Sequence, residues 1–402
     1  RGLSPLVSRP CRAHCRETRL WRVSRQKLSR RIQMLGSYTN VSSRIKFGLL
    51  VLTVGCGLIG AVAFASTKLS KAGASELPVA SVHPVLQQIA ESALLNGVTS
   101  ARGDAGFAVV TDVSTGEVLA AAHVHRERGR MVADSSQSNF LKKTLNPWSV
   151  AKPLIIAEAI DKAGVNAGDI VDCGDGGYTV DGNTYQDWKP FGKISVTEIV
   201  TNSSNIGSIK IANAMGGNIL AHELPEFGFG AESLASHFPN AGSGSILTAG
   251  SMSNDLLGAS LAVGGSGFSV TPLEIVQAYA ALANKGMLNE PRPYGQREKS
   301  VLGRPVVSEG TAQIMRSILR KVVTEGTGQK AATPSYSTAG KTGSSPHFVN
   351  FAGFAPADKA RIAVYVGVEN SEGDQSGGQV AAPIFSAIVE PSLRALNVPA
   401  ER

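Results

Sequence analysis

An α+β fold, with a mainly antiparallel sheet flanked by helices and an inserted all-helical lobe, is what this sequence of 402 residues predicts. Three observations carry that expectation. A hairpin pattern stands early in the chain, two strand-like runs stand late, and the long stretch between them has helical periodicity. Strands at both ends with helices between them argue for one sheet completed from both ends, not for alternating βαβ units. A hydrophobic content of 43% supplies an ample core for such a domain.

Residues 1–46 carry twelve Arg and Lys against the single acid Glu17, which exceeds the net charge of +8 for the whole chain. The rest of the chain is therefore slightly acidic, and the basic balance belongs to an arm. With only Trp21 and Tyr38 among those basic residues, no nucleic-acid platform is expected. Phe47 to Thr67 is a run of 21 residues without a charge, bracketed by Lys46 and Lys68. At 1.5 Å per residue such a helix reaches across a hydrocarbon core of about 30 Å. The run is expected to be an uncleaved single-pass anchor. The basic flank should remain cytoplasmic, and the larger part should lie outside the inner membrane. A cleaved signal is the alternative, because Ala63-Phe64-Ala65 resembles a cleavage site. Met34 begins a normal short cytoplasmic head, so residues 1–33 read as an over-extended start or as an organelle transit peptide. Residues 68–83 read as a tether, and 84–402 as the exported domain. Cys11, His14 and Cys15 have no second ligand pair nearby, so no metal and no cofactor is expected.

Within the domain, Pro84 to Leu95 has apolar residues at helical spacing with Pro in the first turn. Phe107–Val113, the turn Ser114-Thr115-Gly116 and Glu117–Val124 form the early hairpin. Residues 148–163 predict an apolar helix ended by Gly164, and Thr197–Met215 a helical region ended by Gly216-Gly217. Thr271-Pro272 opens a helix through Ala283, and Val307–Val323 predicts an amphipathic one. The late strands are Phe348–Ala355 and Arg361–Glu369, and Pro383–Leu396 closes the chain as a helix.

Three short motifs bear chemistry. Ser149 and Lys152 stand i, i+3, on one face of a helix that begins near Pro147. A serine hydroxyl needs a base, and a desolvated lysine can be neutral enough to serve. The same S-x-x-K spacing recurs at Ser24–Lys27 and Ser43–Lys46, within the basic arm, where it reads as a solvated surface. Only the third copy precedes an apolar helix, Pro153-Leu154-Ile155-Ile156-Ala157. Ser203-Ser204-Asn205 is either a helix cap or a proton relay (Ser203) with a substrate-amide binder (Asn205). Lys341-Thr342-Gly343-Ser344 is either a Gly-rich loop or the start of a carboxylate-binding strand. In the second reading Lys341 and Thr342 supply charge-assisted hydrogen bonds, Gly343 permits close approach, and the Ser344 N–H is an oxyanion donor. Each motif alone is weak. Their order and spacing together are a strong signal.

In that order the three motifs match the set of the penicillin-recognising serine acyltransferases. From about residue 105 onward the chain resembles the transpeptidase domain of class B penicillin-binding proteins, the septal and elongation type. Further likeness lies in Thr115-Gly116-Glu117-Val118-Leu119-Ala120, Phe227-Gly228-Phe229-Gly230, Ser269-Val270-Thr271-Pro272-Leu273, Val323-Thr324-Glu325-Gly326-Thr327-Gly328 and Phe351-Ala352-Gly353-Phe354-Ala355-Pro356. The resemblance implies a penicillin-binding transpeptidase or serine β-lactamase-like fold. It also implies D,D-transpeptidation of peptidoglycan stem peptides through an acyl-enzyme on Ser149, and acylation by β-lactam antibiotics. Lys152 would be the base, Ser203 and Lys341 would share proton traffic, and Thr342 with Ser344 would hold the terminal carboxylate. A membrane glycan polymerase of the wall-synthesis machinery would be a partner.

The chain departs from the family pattern in three places. Trp148 stands where the family usually has glycine, Ser344 replaces the commoner threonine, and only about 35 residues separate anchor from domain where relatives carry a pedestal. Other readings stay open. A D,D-carboxypeptidase would use the same residues with water as acceptor. A β-lactamase is disfavoured, because no E-x-x-L-N context and no S-x-V motif is present. A non-catalytic scaffold would keep the fold without the chemistry.

Overall fold

Strand pairing joins the two ends of the domain. The computed structural model describes residues 81–401 apart from 135–137, 231–237, 239–240, 249, 296–302 and 374–375, and all of these belong to one unit, Ser66–Arg402. The expected arm, anchor, most of the tether and the first two S-x-x-K copies lie outside the described residues. Among the described residues no helix is long and apolar enough to cross a membrane.

Helix α1 (Pro84–Ser100) precedes the strands β1 (Ala105–Asp112), β2 (Glu117–Glu127) and β3 (Arg130–Asp134). A 3₁₀ turn, Trp148–Ala151, runs into α2 (Lys152–Ala163). The middle of the chain holds α3 (Val196–Thr201), α4 (Asn205–Met215), α5 (Gly217–Glu223), α6 (Asn254–Val263) and α7 (Pro272–Ala283). Short β4 (Arg292–Pro293) and α8 (Glu309–Thr324) follow, then β5 (Ala339–Ser344), β6 (Phe348–Ala355), β7 (Ile362–Glu369) and α9 (Ala381–Ala395). Among the described residues the main sheet has seven strands in the order β4-β2-β1-β7-β6-β5, with β3 also paired to β2. Only the short β4 contact is parallel. Early β1 pairs with late β7 over its whole length, from Ala105↔Glu369 to Asp112↔Ile362. The expected α+β architecture is thus present, with both chain ends completing one sheet.

Alternation along the strands decides which layer each face builds. One face (Ala108, Val110, Val364, Val366, Val368) packs under α1 and α9 through Leu86, Leu94, Phe385 and Ile388. The stripe Leu86, Ala90, Leu94, Val98 continues past Leu95, so α1 runs five residues beyond the predicted end, where Gly97 lies against Ile384. The opposite face carries Phe107, Val109 and Tyr365 and is covered by α7, every residue of which is buried. A helix apolar on all sides belongs in the middle of a protein. The capping box of Thr271 and Glu274 starts it where the sequence predicts.

The single helical region predicted over Thr197–Met215 is corrected to two helices. The chain turns at Ser203, whose φ is +61°, and α3 ends before it at Thr201. Ser204 then caps α4 by accepting from the Gly207 N–H at 2.9 Å. Hydroxyl and amide side chains offer the backbone alternatives to the helical ladder, so a Ser-Ser-Asn run is a natural place to interrupt it.

Candidate active site

The break at Ser203 and the turn at Trp148 bring the three motifs together. Lys152, in the first turn of α2, is fully buried, and its Nζ lies 2.5 Å from Ser149 Oγ. The same Nζ donates to Asn205 Oδ1 at 2.7 Å, across 53 residues of chain. Lys341, on β5, is also fully buried and donates to Ser203 Oγ at 2.9 Å and to the Thr342 carbonyl at 2.9 Å. Ser149, Ser203 and Asn205 are half-buried, so one side of the cluster faces outward. All eight sequence-predicted residues lie on these three converging segments, Ser344 being the exposed one.

Burial sets the electrostatics. It depresses the Lys152 ammonium to about 7, and the nearby Asp187 carboxylate only partly opposes that shift. Near neutral pH Lys152 therefore has access to its free-amine form, able to accept a proton from a hydroxyl at hydrogen-bond distance. Lys341 is also held well below the ordinary lysine range, first by burial and then by the charge of Lys152. The site thus pairs one hydroxyl with a neutralisable amine on each side, Ser149 with Lys152 and Ser203 with Lys341. Such a cluster can activate a nucleophile and pass its proton onward.

Several supporting residues were not legible in the sequence. Asp187 Oδ1 accepts from the backbone N–H groups of Asn205 (2.5 Å) and Ile206 (3.2 Å), and Asp187 Oδ2 from Ser204 Oγ (2.8 Å). It thereby anchors the N-terminus of α4, where a carboxylate is favoured, and holds Asn205 against Lys152. Asn205 Nδ2 donates to the Gln186 carbonyl at 2.7 Å, which fixes the other end of that amide. The middle serine of the second motif is thus the helix cap, while its two neighbours face the lysines. Tyr279, buried on α7, donates to the Val150 carbonyl at 2.8 Å and ties the central helix to the turn that carries Ser149.

Asn350 on β6 joins the third motif to the first. Its side chain stands opposite Gly343, and a Cβ at Gly343 would meet Asn350 Oδ1 at 2.1 Å. Glycine is required there by a neighbouring strand, and not only for ligand approach as the sequence suggests. Asn350 Nδ2 lies 3.4 Å from the Pro147 carbonyl and 3.3 Å from the Tyr365 hydroxyl. Thr342 Oγ1 shares a hydrogen bond with Thr327 Oγ1 at 2.7 Å, and Ser344 Oγ accepts from the Gly377 N–H at 2.9 Å. Strand β5 ends the sheet order among the described residues, and Ser344 at its end is its exposed residue.

Trp148 adopts φ +53°, the left-handed region that glycine enters freely and other residues enter at about 1–2 kcal/mol. This accounts for glycine as the expected residue before Ser149. The tryptophan is held by a hydrogen bond from its N–H to the Gly264 carbonyl at 2.9 Å. A Cβ on Gly264, itself at φ +63°, would stand 2.2 Å from the Trp148 oxygen. Gly264→Ala is therefore expected to destabilise the chain by about 2–4 kcal/mol. It should also slow acylation of Ser149 by a serine-reactive probe at least about tenfold, through displacement of the turn. Denaturant unfolding and probe kinetics check both, and an unchanged acylation rate would contradict the proposed dependence on this backbone.

Comparison with known proteins agrees with this geometry. Residues 106–390 match the family model described as the penicillin binding protein transpeptidase domain. The chain is 30% identical over 344 residues to the stage V sporulation protein D of Bacillus subtilis (strain 168), covering 78% of this chain and 53% of that protein. It is 28% identical over 336 residues to the peptidoglycan D,D-transpeptidase FtsI of Escherichia coli (strain K12), covering 79% and 56%. The chain thus spans about half the length of these curated relatives. Among solved structures, the apo transpeptidase domain of Burkholderia pseudomallei penicillin-binding protein 3 superposes with a TM-score of 0.72 at 31% identity, covering 80% of this chain and 98% of that one. A peptidoglycan glycosyltransferase from Burkholderia ambifaria gives 0.71 at 31% identity, covering 81% and 99%.

Proposed function

Since the chain belongs to the penicillin-binding protein transpeptidase family, of the class B type, we propose that it is a peptidoglycan D,D-transpeptidase acting through an acyl-enzyme on Ser149. The observation that carries this reading is the single Lys152 Nζ within 2.5 Å of Ser149 Oγ and 2.7 Å of Asn205 Oδ1. No simple helix surface needs a buried amine between a hydroxyl and an amide from a distant segment.

In this reading the stem peptide lies along the outer edge of β5 as an added strand, its terminal carboxylate near Thr342 and Ser344. Free-amine Lys152 takes the Ser149 proton as Oγ attacks the carbonyl of the penultimate D-Ala. The backbone N–H groups of Ser149 and Ser344 stabilise the oxyanion. Collapse breaks the C–N bond, and the proton held by Lys152 passes through Ser203, which Lys341 holds in place, to the leaving nitrogen. The ester is then attacked by the amine of a neighbouring stem. That amine gives a proton to the once more neutral Lys152, the C–O bond breaks, and Lys152 returns the proton to Oγ as the new amide forms. A β-lactam opens on the same hydroxyl and stays as the ester. Asn205 would turn its amide to the substrate by exchanging the Gln186 carbonyl for a substrate group. No step calls for a cofactor. With residues 47–67 as a single-pass anchor and the basic arm on the cytoplasmic side, the domain would face the wall beside a membrane glycan polymerase.

The test supplies a stem pentapeptide ending in D-Ala-D-Ala together with an acceptor amine. Release of D-Ala matched by a new amide product is expected. Shortened stem without amide product would make the chain a D,D-carboxypeptidase, and rapid turnover of a bound penicillin would make it a β-lactamase. Failure of the folded chain to release D-Ala or to take up penicillin would leave a scaffold.

A further inference from the structure

On the α7-covered face of the sheet, at the far side from the catalytic cluster, two histidines and an aspartate meet across the β2–β3 hairpin. His123 and His125 are two residues apart on β2 and so project from one face. Asp134, at the end of β3, stands directly opposite His123 in the strand register. Their ligand atoms all lie within 4.8 Å of one another, and His123 Nδ1 is 3.5 Å from Asp134 Oδ2. From this arrangement we infer that His123, His125 and Asp134 form a binding site for a divalent transition-metal ion, with zinc the ion best matched to the donor set.

The chemistry of the donors selects the class of ion. Two imidazole nitrogens and one carboxylate oxygen suit zinc and its neighbours, whereas calcium and magnesium prefer oxygen ligands throughout. Metal–ligand distances of 2.0–2.1 Å put tetrahedral donors about 3.4 Å apart. The His123–Asp134 separation already meets that spacing, and no pair of ligand atoms stands further apart than 4.8 Å. Three protein ligands leave a fourth position for water.

Two further observations point to a ligand. His123 Nδ1 faces only Asp134, and the Nδ1 of His125 is buried without a hydrogen-bond partner, a costly arrangement for a polar atom. An ion pair with Asp134 accounts for His123 alone and leaves His125 unexplained. The rings are also held in place: His123 stacks on Phe140 at 5.6 Å and 14°, and the two imidazoles stack on each other at 5.7 Å. Phe140 in turn stacks on Phe107 of β1. The absence of a metal is expected only from Cys11, His14 and Cys15, which lack a second ligand pair; here the third ligand comes from the return strand, where no local spacing advertises it. A bound ion would tie β3, which pairs only with β2 among the described residues, to the body of the sheet.

The experiment is a cobalt and zinc titration of the full chain after removal of metal by a chelator. One equivalent of Co²⁺ should produce the intensified visible absorption of a four-coordinate nitrogen–oxygen site, and Zn²⁺ should displace it while Mg²⁺ and Ca²⁺ do not. The absence of a sulfur-to-cobalt charge-transfer band would distinguish this site from Cys11 and Cys15. The double variant His123→Gln/His125→Gln should bind Zn²⁺ at least about 100-fold more weakly, since even outer-shell partners are worth 10–100-fold. Asp134→Asn should weaken it at least about tenfold. Unaltered denaturant unfolding of these variants shows that they are folded, and it makes the outcome independent of the transpeptidase reading. No zinc-displaceable cobalt spectrum in the wild type, or equal affinity in the double variant, would overturn the proposal.

Discussion

Replacement of Ser149 by alanine is expected to abolish covalent labelling by a fluorescent penicillin, with the folded fraction unchanged. The hydroxyl is half-buried and points to a single amine, so its removal leaves a small gap and no orphaned partner. Lys152 keeps its bond to Asn205, and stability should shift by no more than about 1 kcal/mol. Reactivity should behave differently, because the proposed nucleophile would form the bond itself. Loss of such a group lowers turnover by about 10³-fold or more even where binding and oxyanion contacts survive. Gel fluorescence of wild type beside Ser149→Ala reads the outcome directly. Persistent labelling of the variant would move the nucleophile elsewhere and would undo the proposed mechanism.

The second large effect is a pH dependence centred on Lys152. Burial brings this amine to about 7, and the form that can accept the serine proton is the neutral one. Acylation by penicillin should therefore level off above pH 7 and fall about tenfold per unit well below it. Lys152→Met removes the base altogether and should lower the acylation rate by about 10³-fold or more. Asp187 opposes the effect of burial by favouring the charged ammonium. Its neutralisation in Asp187→Asn should shift the midpoint to lower pH, while the asparagine oxygen still accepts from the Asn205 N–H. Stopped-time labelling across pH 5–9, an interval on the order of two units either side of the midpoint, measures both. A flat profile, or a midpoint that rises in Asp187→Asn, would remove Lys152 from the role of base.

These two effects differ in how far they could be read from the chain. The proposed nucleophile and its proposed base follow from an i, i+3 spacing before an apolar helix, and helix geometry alone brings such a pair together. The hairpins follow from alternation, and β6 spans Phe348–Ala355 as the sequence predicts. The depressed lysines follow from nothing local. Lys152 and Lys341 are fully buried only because α4, β5 and the turn before α2 close around them, and desolvation is a property of that enclosure. Ser203-Ser204-Asn205 was legible as either a cap or a functional motif, and the structure makes Ser204 the cap while Ser203 and Asn205 face the lysines. Asp187, Tyr279 and Asn350 carried no signal, because each acts on a segment more than a dozen residues away.

By itself the sequence determined the fold class, the early and late hairpins, most of the long helices, and the three short segments that bear chemistry. Periodicity and capping are geometric consequences of a few adjacent residues, and they survive in the linear text. The tertiary structure alone decided that the segments converge, that the chain breaks at Ser203, that Trp148 sits in a left-handed turn against Gly264, and that His125 meets Asp134 across a hairpin. Those outcomes depend on which distant surfaces exclude water from one another, and that is settled only when the whole core packs.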